Sequence, residues 1–576
     1  MGIERGVRLT FVGALVLGAG CSSCRRSAMP PRPDGAAVVV SADAPTLGGD
    51  LPLAAEAEPN DTLPTAQRLA LGAAPAVGVS ATLHEGQGKL RDTDLYRLDV
   101  PPAEPAAAPS LADGAAAVGP LRRLLRVDVK PDLALALGVE ALDDQGQPLA
   151  STGGGQVGEA VALPNLAVTP GTYYLRVRSA GAAGAPSAAG GYHLVARLTP
   201  LDAGAELEPN GKAAMATELA AGGEAVGYYG WRHDQDWYRV PTAGIAEGSV
   251  LSADLEPAPG VTASLLVFDS VEQKLTEAHG RKEERVALRS VRVPTTEPYL
   301  YVVVRTDIGS NADIRYNLRL GVSLPKEGGE VEPNDDLAHA QALSSGAAGA
   351  GDGLGAVTVA GTLGRGDVDV YKYTAAVPVE LDVEATPPER VDIKLELLRP
   401  DGTVLARSDT GKRREPERLP NIFVPGGTAL VRLTAGKGDA NLDEPYRLTI
   451  TARPPEAGGE REPNDTIAMP TALPSGAVGS GLIAPRGDVD FWQAAATPDA
   501  EGNVSVSVSG IPGLTLDVRV RGTDGKELGR FKVAGGAAAT PVAVATGGEA
   551  CCLVEVREAT GRLANPRDRY AVAVGR

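Results

Sequence analysis

The chain has 576 residues, and its 55 basic and 73 acidic side chains give a formal net charge of −18 at neutral pH. This acidic balance argues against nucleic acid and anionic lipid headgroups as partners, and it suits a solvated surface or bound cations. At about 100 to 200 residues per domain, the length allows about four domains. Glycine (71 residues) and proline (45 residues) are frequent, as expected for many turns between short strands.

The first twenty residues have the features of an export signal. Arg5 and Arg8 precede an apolar run from Leu9 to Leu17, and small residues then lead to Cys21. A permanent membrane span needs about 20 apolar residues, and no run in the chain approaches that length. The segment resembles a bacterial lipoprotein signal, which implies cleavage after residues 1–20 and a lipid on the Cys21 sulfur. An ordinary secretory signal is the alternative, and both predict an exported protein.

Residues 21–51 are predicted to form a disordered tether. They are rich in proline, alanine and glycine, and they have no apolar period and few large apolar side chains. Such a segment would lift the first domain off a membrane surface. Ser22 follows the cysteine, and in lipoproteins of diderm bacteria the absence of aspartate there is compatible with transfer to the outer membrane.

A short motif, Glu-x-Glu-Pro-Asn followed by Asp or Gly, occurs four times. Its copies begin at Glu56, Glu206, Glu330 and Glu460, and their asparagines lie 124 to 150 residues apart. That spacing is the length of a whole domain and exceeds the roughly 20 to 50 residues of a solenoid repeat. The sequence therefore predicts four domains, called repeats 1 to 4 below, at residues 52–200, 201–324, 325–454 and 455–576.

The motif, called the arm below, is expected to gather oxygen-bearing side chains. Proline keeps the preceding residue extended, and alternate side chains of an extended segment share a face, so both glutamates and the asparagine point the same way. An Asp-x-Asp-x-aromatic motif follows each arm, beginning at Asp92, Asp234, Asp367 and Asp488. If this motif starts a strand, its second aspartate lies at the rim of the core. Oxygens crowded in this way need a cation or a set of N–H donors.

The rest of each repeat predicts short strands. Alternating apolar runs follow the Asp-x-Asp motif, and each repeat closes on a tyrosine two places before an aliphatic residue, at Tyr192, Tyr316, Tyr446 and Tyr570. Hairpin signals stand at Asp144-Gln-Gly146, Pro400-Asp-Gly402 and Thr523-Asp-Gly525, whereas repeat 2 has Asp269-Ser-Val271 and is expected to turn differently. Apolar residues three, six and nine places after each arm asparagine suggest one or two helical turns. Without a sustained helical period, the pattern predicts an all-β sandwich.

At these landmarks the chain resembles the bacterial pre-peptidase C-terminal domain family, which includes the collagen-binding domain of bacterial collagenase. The resemblance covers all four repeats and implies jelly-roll-like β-sandwiches that hold calcium between the arm and later aspartates. The implied calcium ligands are Glu56, Glu58, Asn60, Asp61, Asp92 and Asp94; Glu206, Glu208, Asn210, Asp234 and Asp236; Glu330, Glu332, Asn334, Asp335, Asp367 and Asp369; and Glu460, Glu462, Asn464, Asp465, Asp488 and Asp490. Repeat 2 departs from the family pattern, because Gly211 replaces the aspartate and leaves five of the six candidate ligands.

Two interpretations of these oxygens stay open. Calcium takes about six to eight oxygen ligands, and six candidate side chains in repeats 1, 3 and 4 could supply most of them. Magnesium requires a stricter octahedron, and no nitrogen or sulfur ligand is offered to zinc. The alternative is that the arm simply caps the sandwich, with its carboxylates and asparagine accepting backbone N–H bonds across the turn.

The sequence contains no recognisable catalytic constellation. The five histidines occupy no shared place among the repeats, and nucleophile-elbow, P-loop and dinucleotide motifs are missing. Four nearly identical carboxylate pairs fit ion binding better than acid–base catalysis. Cys551 and Cys552 would point to opposite faces of a strand, so a bond between them is not expected, and one of them is open to pairing with Cys24.

The sequence therefore predicts a non-catalytic, exported lipoprotein of the cell envelope, built from four binding or display modules. Its partners would be the membrane, through the lipid, and an unidentified protein or polysaccharide of the envelope or the extracellular space. Tandem modules would give such contacts multivalency. An accessory factor or remnant of a secreted peptidase system is the alternative function, and a purely structural envelope spacer is a third.

Overall fold

The structure, a computed structural model, describes residues 51–71, 75–84, 92–102, 123–132, 135–152, 154–180, 189–201, 205–343, 354–548 and 551–575. The export signal, Cys21, Cys24 and the tether up to residue 50 lie outside the described residues. Within the described ranges the regular elements are strands and two single 3₁₀ turns, so the all-β prediction is confirmed. None of these ranges contains a helix long and apolar enough to cross a membrane.

The strands of repeats 1 and 2 follow the predicted alternation. Repeat 1 contains β1 (Leu53–Ala55), β2 (Gln67–Leu69), β3 (Ala76–Leu83), β4 (Thr93–Val100), β5 (Arg123–Pro131), β6 (Leu137–Leu142), β7 (Pro148–Ser151), β8 (Val161–Val168), β9 (Gly171–Ser179) and β10 (Gly190–Pro200). Repeat 2 contains β11 (Thr217–Glu218), β12 (Glu224–Tyr229), β13 (Gln235–Pro241), β14 (Val250–Glu256), β15 (Thr262–Phe268), β16 (Lys274–His279), β17 (Val286–Arg292), β18 (Tyr299–Ile308) and β19 (Asn311–Ser323).

Repeats 3 and 4 contain the same succession of strands. Repeat 3 contains β20 (Gln341–Leu343), β21 (Gly355–Leu363), β22 (Val368–Ala375), β23 (Val379–Thr386), β24 (Ile393–Leu398), β25 (Val404–Ser408), β26 (Glu417–Val424), β27 (Gly427–Ala435) and β28 (Asn441–Arg453). Repeat 4 contains β29 (Thr471–Leu473), β30 (Val478–Ile483), β31 (Val489–Ala496), β32 (Asn503–Val508), β33 (Leu516–Arg521), β34 (Glu527–Val533), β35 (Val542–Ala545), β36 (Cys551–Glu558) and β37 (Asn565–Gly575).

Each repeat forms two sheets, and the order of strands recurs. Sheet A, which carries the closing tyrosine strand, has the orders β1-β3-β10-β5-β8, β12-β19-β14-β17, β21-β28-β23-β26 and β30-β37-β32-β35. Sheet B, which carries the Asp-x-Asp strand, has the orders β2-β4-β9-β6-β7, β11-β13-β18-β15-β16, β20-β22-β27-β24-β25 and β29-β31-β36-β33-β34. The site described below lies where the Asp-x-Asp strand of sheet B faces the closing strand of sheet A.

Side chains of the two sheets share one buried cluster in each repeat. In repeat 3, Tyr371 and Leu433 from sheet B belong to the same cluster as Val383 and Leu448 from sheet A. The closing tyrosines of all four repeats are fully buried, as the alternation predicts, and so are Tyr96, Tyr238, Tyr371 and Trp492 of the Asp-x-Asp strands. The aromatic residue after each Asp-x-Asp pair is therefore a core residue.

The turn of repeat 2 was expected to differ from the other hairpins, and this expectation is wrong. In repeats 1, 3 and 4 the turn has a glycine with positive φ at Gly146, Gly402 and Gly525. In repeat 2, Glu272 takes this place with a φ of 64°, and its N–H donates to the Asp269 carbonyl in the same way. The Asp269 carboxylate accepts N–H bonds from Val271 and Gln273 at 3.0 and 2.7 Å, as Asp143 does from Gln145 and Gln147 in repeat 1.

The expectation that Cys551 and Cys552 remain unbonded to each other is also wrong. They form a disulfide at the start of β36, and the peptide between them is cis, with Cα atoms 3.2 Å apart. Adjacent side chains point to opposite faces when the peptide between them is trans, as in an ordinary strand. Both cysteines are buried in the core of repeat 4, and neither sulfur is left for Cys24.

The helical turns predicted after the arms are short or irregular. Repeats 1 and 2 have single 3₁₀ turns at Leu63–Thr65 and Ala213–Met215. Repeats 3 and 4 have non-helical turns at the matching positions.

Candidate metal centres

Each arm is hydrogen-bonded to both sheets of its own repeat. The N–H of the first glutamate donates to sheet A, as from Glu330 to the Ala360 carbonyl at 3.0 Å. Four residues later the arm asparagine accepts from the Asp-x-Asp strand, as Asn334 does from the Val370 N–H at 2.9 Å. The matching bonds occur in the other three repeats, and the Glu-Pro peptide of every arm is cis. The arm thus closes one end of the gap between the sheets and brings its side chains to the second aspartate.

Three carboxylates converge in every repeat, and one oxygen of each lies within 4.8 Å of the others. The four groups are Glu56, Glu58 and Asp94; Glu206, Glu208 and Asp236; Glu330, Glu332 and Asp369; and Glu460, Glu462 and Asp490. These groups are called the acidic clusters below. In repeat 4 a second group of Glu462, Asp465 and Asp488 adjoins the first. The structure therefore brings the arm and the later aspartate together four times.

The remaining predicted ligands surround the clusters. The asparagines of the four arms are fully buried: Asn60, Asn210, Asn334 and Asn464. Asp92, Asp234, Asp367 and Asp488 lie immediately before the Asp-x-Asp strands or at their start, and Asp61, Asp335 and Asp465 are exposed. Asp335 lines one cavity with Glu330, Glu332 and Asp367, so in repeat 3 the predicted set opens toward solvent on one side.

Backbone N–H groups satisfy one oxygen of many of these carboxylates. The second arm glutamate accepts from the asparagine N–H in all four repeats, at 2.7 to 2.9 Å. The first arm glutamate accepts from a sheet A strand, as Glu330 does from the Thr362 N–H at 3.0 Å. The first aspartate of Asp-x-Asp accepts from the preceding loop, as Asp488 does from the Ala484 N–H at 2.6 Å. These bonds are the ones that a purely capping role predicts.

Capping leaves other oxygens without a partner. Among the described residues, the buried oxygens that accept no hydrogen bond include Asp94 Oδ1, Asp234 Oδ1, Asp236 Oδ1, both carboxylate oxygens of Asp369, Glu460 Oε2, Asn60 Oδ1, Asn210 Oδ1 and Asn334 Oδ1. Buried acceptors of this kind cost free energy unless something answers them. They occur in all four repeats, on residues of the acidic clusters or in contact with them, so the capping bonds leave oxygens that a cation, or a proton shared between two carboxyls, would satisfy.

Burial and mutual repulsion raise the pKa values of the clustered carboxyls. Burial raises the pKa of Asp94 to about 8, with the Tyr192 hydroxyl opposing and Glu56 adding to the shift. Burial together with Glu330 raises the pKa of Glu332 to about 10. For Asp236 and Asp369 the same causes, with Glu206 and Glu330 as the nearest charges, place the pKa well above its usual range. Without a positive charge, burial and mutual repulsion therefore favour the protonated forms of these carboxyls.

Tyrosine hydroxyls form a second buried layer that the sequence analysis did not foresee. In repeat 2 the Tyr316 hydroxyl lies 2.8 Å from Asp236 Oδ2 and 2.7 Å from Glu206 Oε2, and it meets the Tyr238 hydroxyl at 2.6 Å. In repeat 4 a tryptophan replaces the first tyrosine, and Trp492 Nε1 donates to the Tyr570 hydroxyl at 2.7 Å. Because the paired tyrosines come from different sheets, only the folded chain reveals that they orient the carboxylates.

A glycine opposite each closing tyrosine makes room for this layer in three repeats. Gly227, Gly361 and Gly481 pair with Tyr316, Tyr446 and Tyr570, and an added Cβ would lie 2.1 to 2.6 Å from a cluster glutamate oxygen or a tyrosine hydroxyl. In repeat 1 the matching residue is Ala81, paired with Tyr192. Repeat 1 is also the repeat in which the second arm glutamate, Glu58, is exposed. Its acidic cluster is therefore the most open of the four.

We expect the substitution Gly361→Ala to destabilise repeat 3 by about 1 to 3 kcal/mol, because the added methyl group displaces Glu330 and Tyr446 from a packed site. Chemical denaturation monitored by circular dichroism measures this change. The control is Gly575→Ala, where no heavy atom lies within 4 Å of the added Cβ. Equal stability of the two variants would contradict the close approach described here.

Comparison with known proteins places the chain in no family. No family model and no curated protein matches it. Solved structures that resemble parts of it include the CUB1-EGF-CUB2 domain of human MASP-1/3, with 10% identity, 40% of this chain and 99% of that chain covered, and a TM-score of 0.14. The PBSX exported protein XepA has 12% identity, covers 42% of this chain and 86% of its own, and gives a TM-score of 0.13. Likenesses this weak do not bear on the fold or function of the present chain.

Proposed function

We propose that this protein is a non-catalytic component of the cell envelope, made of four jelly-roll-like β-sandwich modules that each hold a calcium ion between arm and Asp-x-Asp strand. A lipid on Cys21 anchors the exported chain, in the outer membrane, and the modules act in binding or display. The main support for a bound cation is that buried, unpartnered oxygens recur at the same place in every repeat.

Strand pairing supports separate sandwiches over one continuous β-solenoid. The described ladders of each repeat stay within its own two sheets, and most pairs are antiparallel. A solenoid would stack parallel strands from coil to coil. Between successive repeats, the strand pairing within the described residues consists of single parallel bridges, such as that between Val291 and Glu332. Each repeat also has its own large apolar cluster.

The ligand chemistry supports calcium over other cations. The acidic clusters offer carboxylate oxygens, and no histidine or cysteine belongs to them among the described residues. Hard oxygen ligands in a set that mixes side chains with waters or carbonyls suit calcium, whereas zinc prefers nitrogen and sulfur. The exposed Asp335 and Asp465 leave one side of their clusters open for a water ligand.

A contact between serine, histidine and aspartate in repeat 2 does not support hydrolytic chemistry. The fully buried Ser264 hydroxyl donates to Asp307, and His279 Nδ1 lies 2.8 Å from the same hydroxyl. An activated nucleophile would instead donate to the histidine and be open to substrate. An accessory role in a peptidase system is the competing function. A pull-down from envelope extract separates them: a protease partner favours the accessory role, and a polysaccharide or matrix ligand favours binding.

Equilibrium dialysis of the chelator-treated chain against radioactive calcium tests the proposed function directly. We expect one bound ion for each of the four acidic clusters, weakest in repeat 1 because Glu58 is exposed. Excess magnesium should compete poorly, because it favours a stricter octahedron. If the chain binds no calcium at millimolar free concentration, the buried unpartnered oxygens of the acidic clusters are not calcium ligands.

We expect Gly211→Asp to strengthen cation binding at repeat 2 by about tenfold, because calcium affinity rises with the number of charged ligands. An added Cβ at Gly211 would meet only the Gln235 carbonyl, at 3.6 Å, so the side chain fits. Terbium luminescence, excited through Trp231 and Trp237 in a chain that also carries Trp492→Tyr, measures the affinity of repeat 2. The matched control is Gly575→Asp, which adds the same charge far from any cluster, and equal affinities for the two variants would contradict the prediction.

A further inference from the structure

The arms of repeats 2, 3 and 4 also pair with the repeat before them. The second arm glutamate forms a single parallel bridge with the edge strand of the preceding sheet A: Glu208 with Leu166, Glu332 with Val291, and Glu462 with Ile422. Its carbonyl accepts from the N–H of the next strand residue at 2.8 Å in all three junctions. The acidic clusters of these repeats therefore lie at the boundary between two repeats.

The edge strand that receives an arm carries a β-bulge, and the edge strand that receives none does not. In β8, β17 and β26 the register shifts between Leu163 and Leu166, between Leu288 and Val291, and between Leu419 and Ile422. In β35 of repeat 4, which no described arm follows, Val544 and Val542 pair in regular register. A bulge bends a strand and redirects its side chains. The bulge is thus part of the receiving surface rather than of the sheet's general plan.

The bulge residue also contacts the carboxylate across two of the junctions. The amides of Asn165 and Asn421 donate to Oε1 of Glu206 and Glu460 in the following repeat, the second at 2.5 Å. Glu460 Oε1 accepts from the Leu482 N–H as well, at 2.7 Å, which leaves the buried Oε2 as the unpartnered atom at the cluster. Arg461 of the same arm lies over the Phe423 ring, 4.7 Å from its centre. The preceding repeat therefore orients the first arm glutamate.

Access to the clusters also runs between repeats. A cavity of about 350 Å³ has Glu330, Glu332 and Asp367 of repeat 3 on one side and Lys274 and Arg289 of repeat 2 on the other. A cavity of about 500 Å³ has Glu462 and Asp488 of repeat 4 opposite Glu396 and Arg407 of repeat 3. Each cavity would widen or close if the two repeats changed their mutual angle.

We propose that cation binding in repeats 2, 3 and 4 and the docking of each repeat on its predecessor are a single coupled event, so that the array stiffens when the cation binds. The inference rests on the proposed calcium sites. Coupling is reciprocal. A change that loosens a junction weakens cation binding, and removal of the cation loosens the junction. Asn165 and Asn421 are positioning residues in this coupling. Repeat 1 has no preceding repeat within the described residues, which fits its exposed Glu58.

The test uses the full chain and the substitution Asn421→Ala. In a chain that carries Trp231→Phe and Trp237→Phe, terbium excited through tryptophan reports on repeat 4, because Trp492 is joined to Asp490 through the Tyr570 hydroxyl by bonds of 2.7 and 2.6 Å. We expect terbium binding at repeat 4 to weaken by about 10- to 100-fold, as for other residues that orient a metal ligand. Small-angle X-ray scattering should show a narrow distribution of radii of gyration for the wild-type chain in calcium and a broad one in chelator. The variant in calcium should show a distribution of intermediate width, because only the junction between repeats 3 and 4 is loosened.

Two further variants keep the result interpretable. Asn421→Ser retains the residue type that repeat 2 uses at the matching bulge, Ser290, where φ is 53° against 44° at Asn421, so it should fold and yet lose the amide donor. It should bind terbium as weakly as Asn421→Ala, and the exposed Asn317→Ala should bind as the wild type does. Wild-type binding by both Asn421 variants, with scattering unchanged by calcium, would overturn the coupling and leave the calcium sites standing. Failure of the wild-type chain to bind terbium would instead overturn the proposed function.

Discussion

Calcium is expected to raise the melting temperature of the wild-type protein by about 10 °C over its value in chelator. A ligand at 100 times its dissociation constant adds about 2.7 kcal/mol of stability. For a unit of this length, each kcal/mol corresponds to about 4 °C. Asp369→Asn should abolish this shift for repeat 3, because both oxygens of Asp369 are buried without a hydrogen-bond partner and one of them reaches the acidic cluster. Differential scanning calorimetry in calcium and in chelator measures both effects.

The same variant separates ion binding from capping. In chelator, Asp369→Asn should leave repeat 3 as stable as the wild type or more so, because a neutral amide replaces a carboxyl whose buried site disfavours charge. If the carboxylates only cap the sandwich, calcium should change nothing, and the substitution should cost the same under both conditions. The exposed Asp409→Asn serves as the matched control. Identical melting temperatures for wild type and variant, in calcium and in chelator, would contradict calcium binding at the acidic cluster of repeat 3.

The acidic clusters were foreseeable from the sequence because they depend on local geometry. Alternation along an extended arm and along a strand is fixed by the backbone, so Glu330, Glu332 and Asp369 could be assigned to common faces before any contact was known. The recurrence of the arm and the Asp-x-Asp motif in four repeats also argued against a chance coincidence of acidic residues. Burial of the closing tyrosines followed from the same rule.

The tyrosine pairs and the junctions between repeats could not be predicted from the sequence, because they depend on contacts between distant segments. The tyrosine pairs join residues 75 to 96 positions apart on different sheets, and no local pattern marks them. The junctions left a faint signal, since Leu163-Pro-Asn-Leu166 recurs as Leu419-Pro-Asn-Ile422, but repeat 2 has Arg289-Ser290 there and breaks the pattern. Glu272 takes the place of a turn glycine at a positive φ, which its residue type does not predict, and nothing in the structure explains the replacement.

The effect of pH on stability is expected to reverse when calcium is added. In chelator the clustered carboxyls have raised pKa values in the folded protein, about 7 for Asp367 and Glu462, about 8 for Asp94 and Glu208, and about 10 for Glu332, each caused first by burial. The unfolded chain titrates them at about 4. The folded state therefore binds more protons between pH 4 and these values, so its free energy of unfolding falls as pH rises from 5 to 9.

In calcium the sign is opposite, because the ion favours the ionised form and lowers the pKa of each ligand below its unfolded value. The free energy of unfolding should then rise with pH over the acid range, because protons displace the ion at low pH. Urea denaturation at pH 5, 7 and 9, in calcium and in chelator, measures the two slopes. The fourfold variant with asparagine for Asp94, Asp236, Asp369 and Asp490 should show a flatter slope in chelator and no calcium effect. Parallel slopes for the wild type under both conditions would mean that the clustered carboxyls do not change their protonation when calcium is present, and hence that they do not bind it.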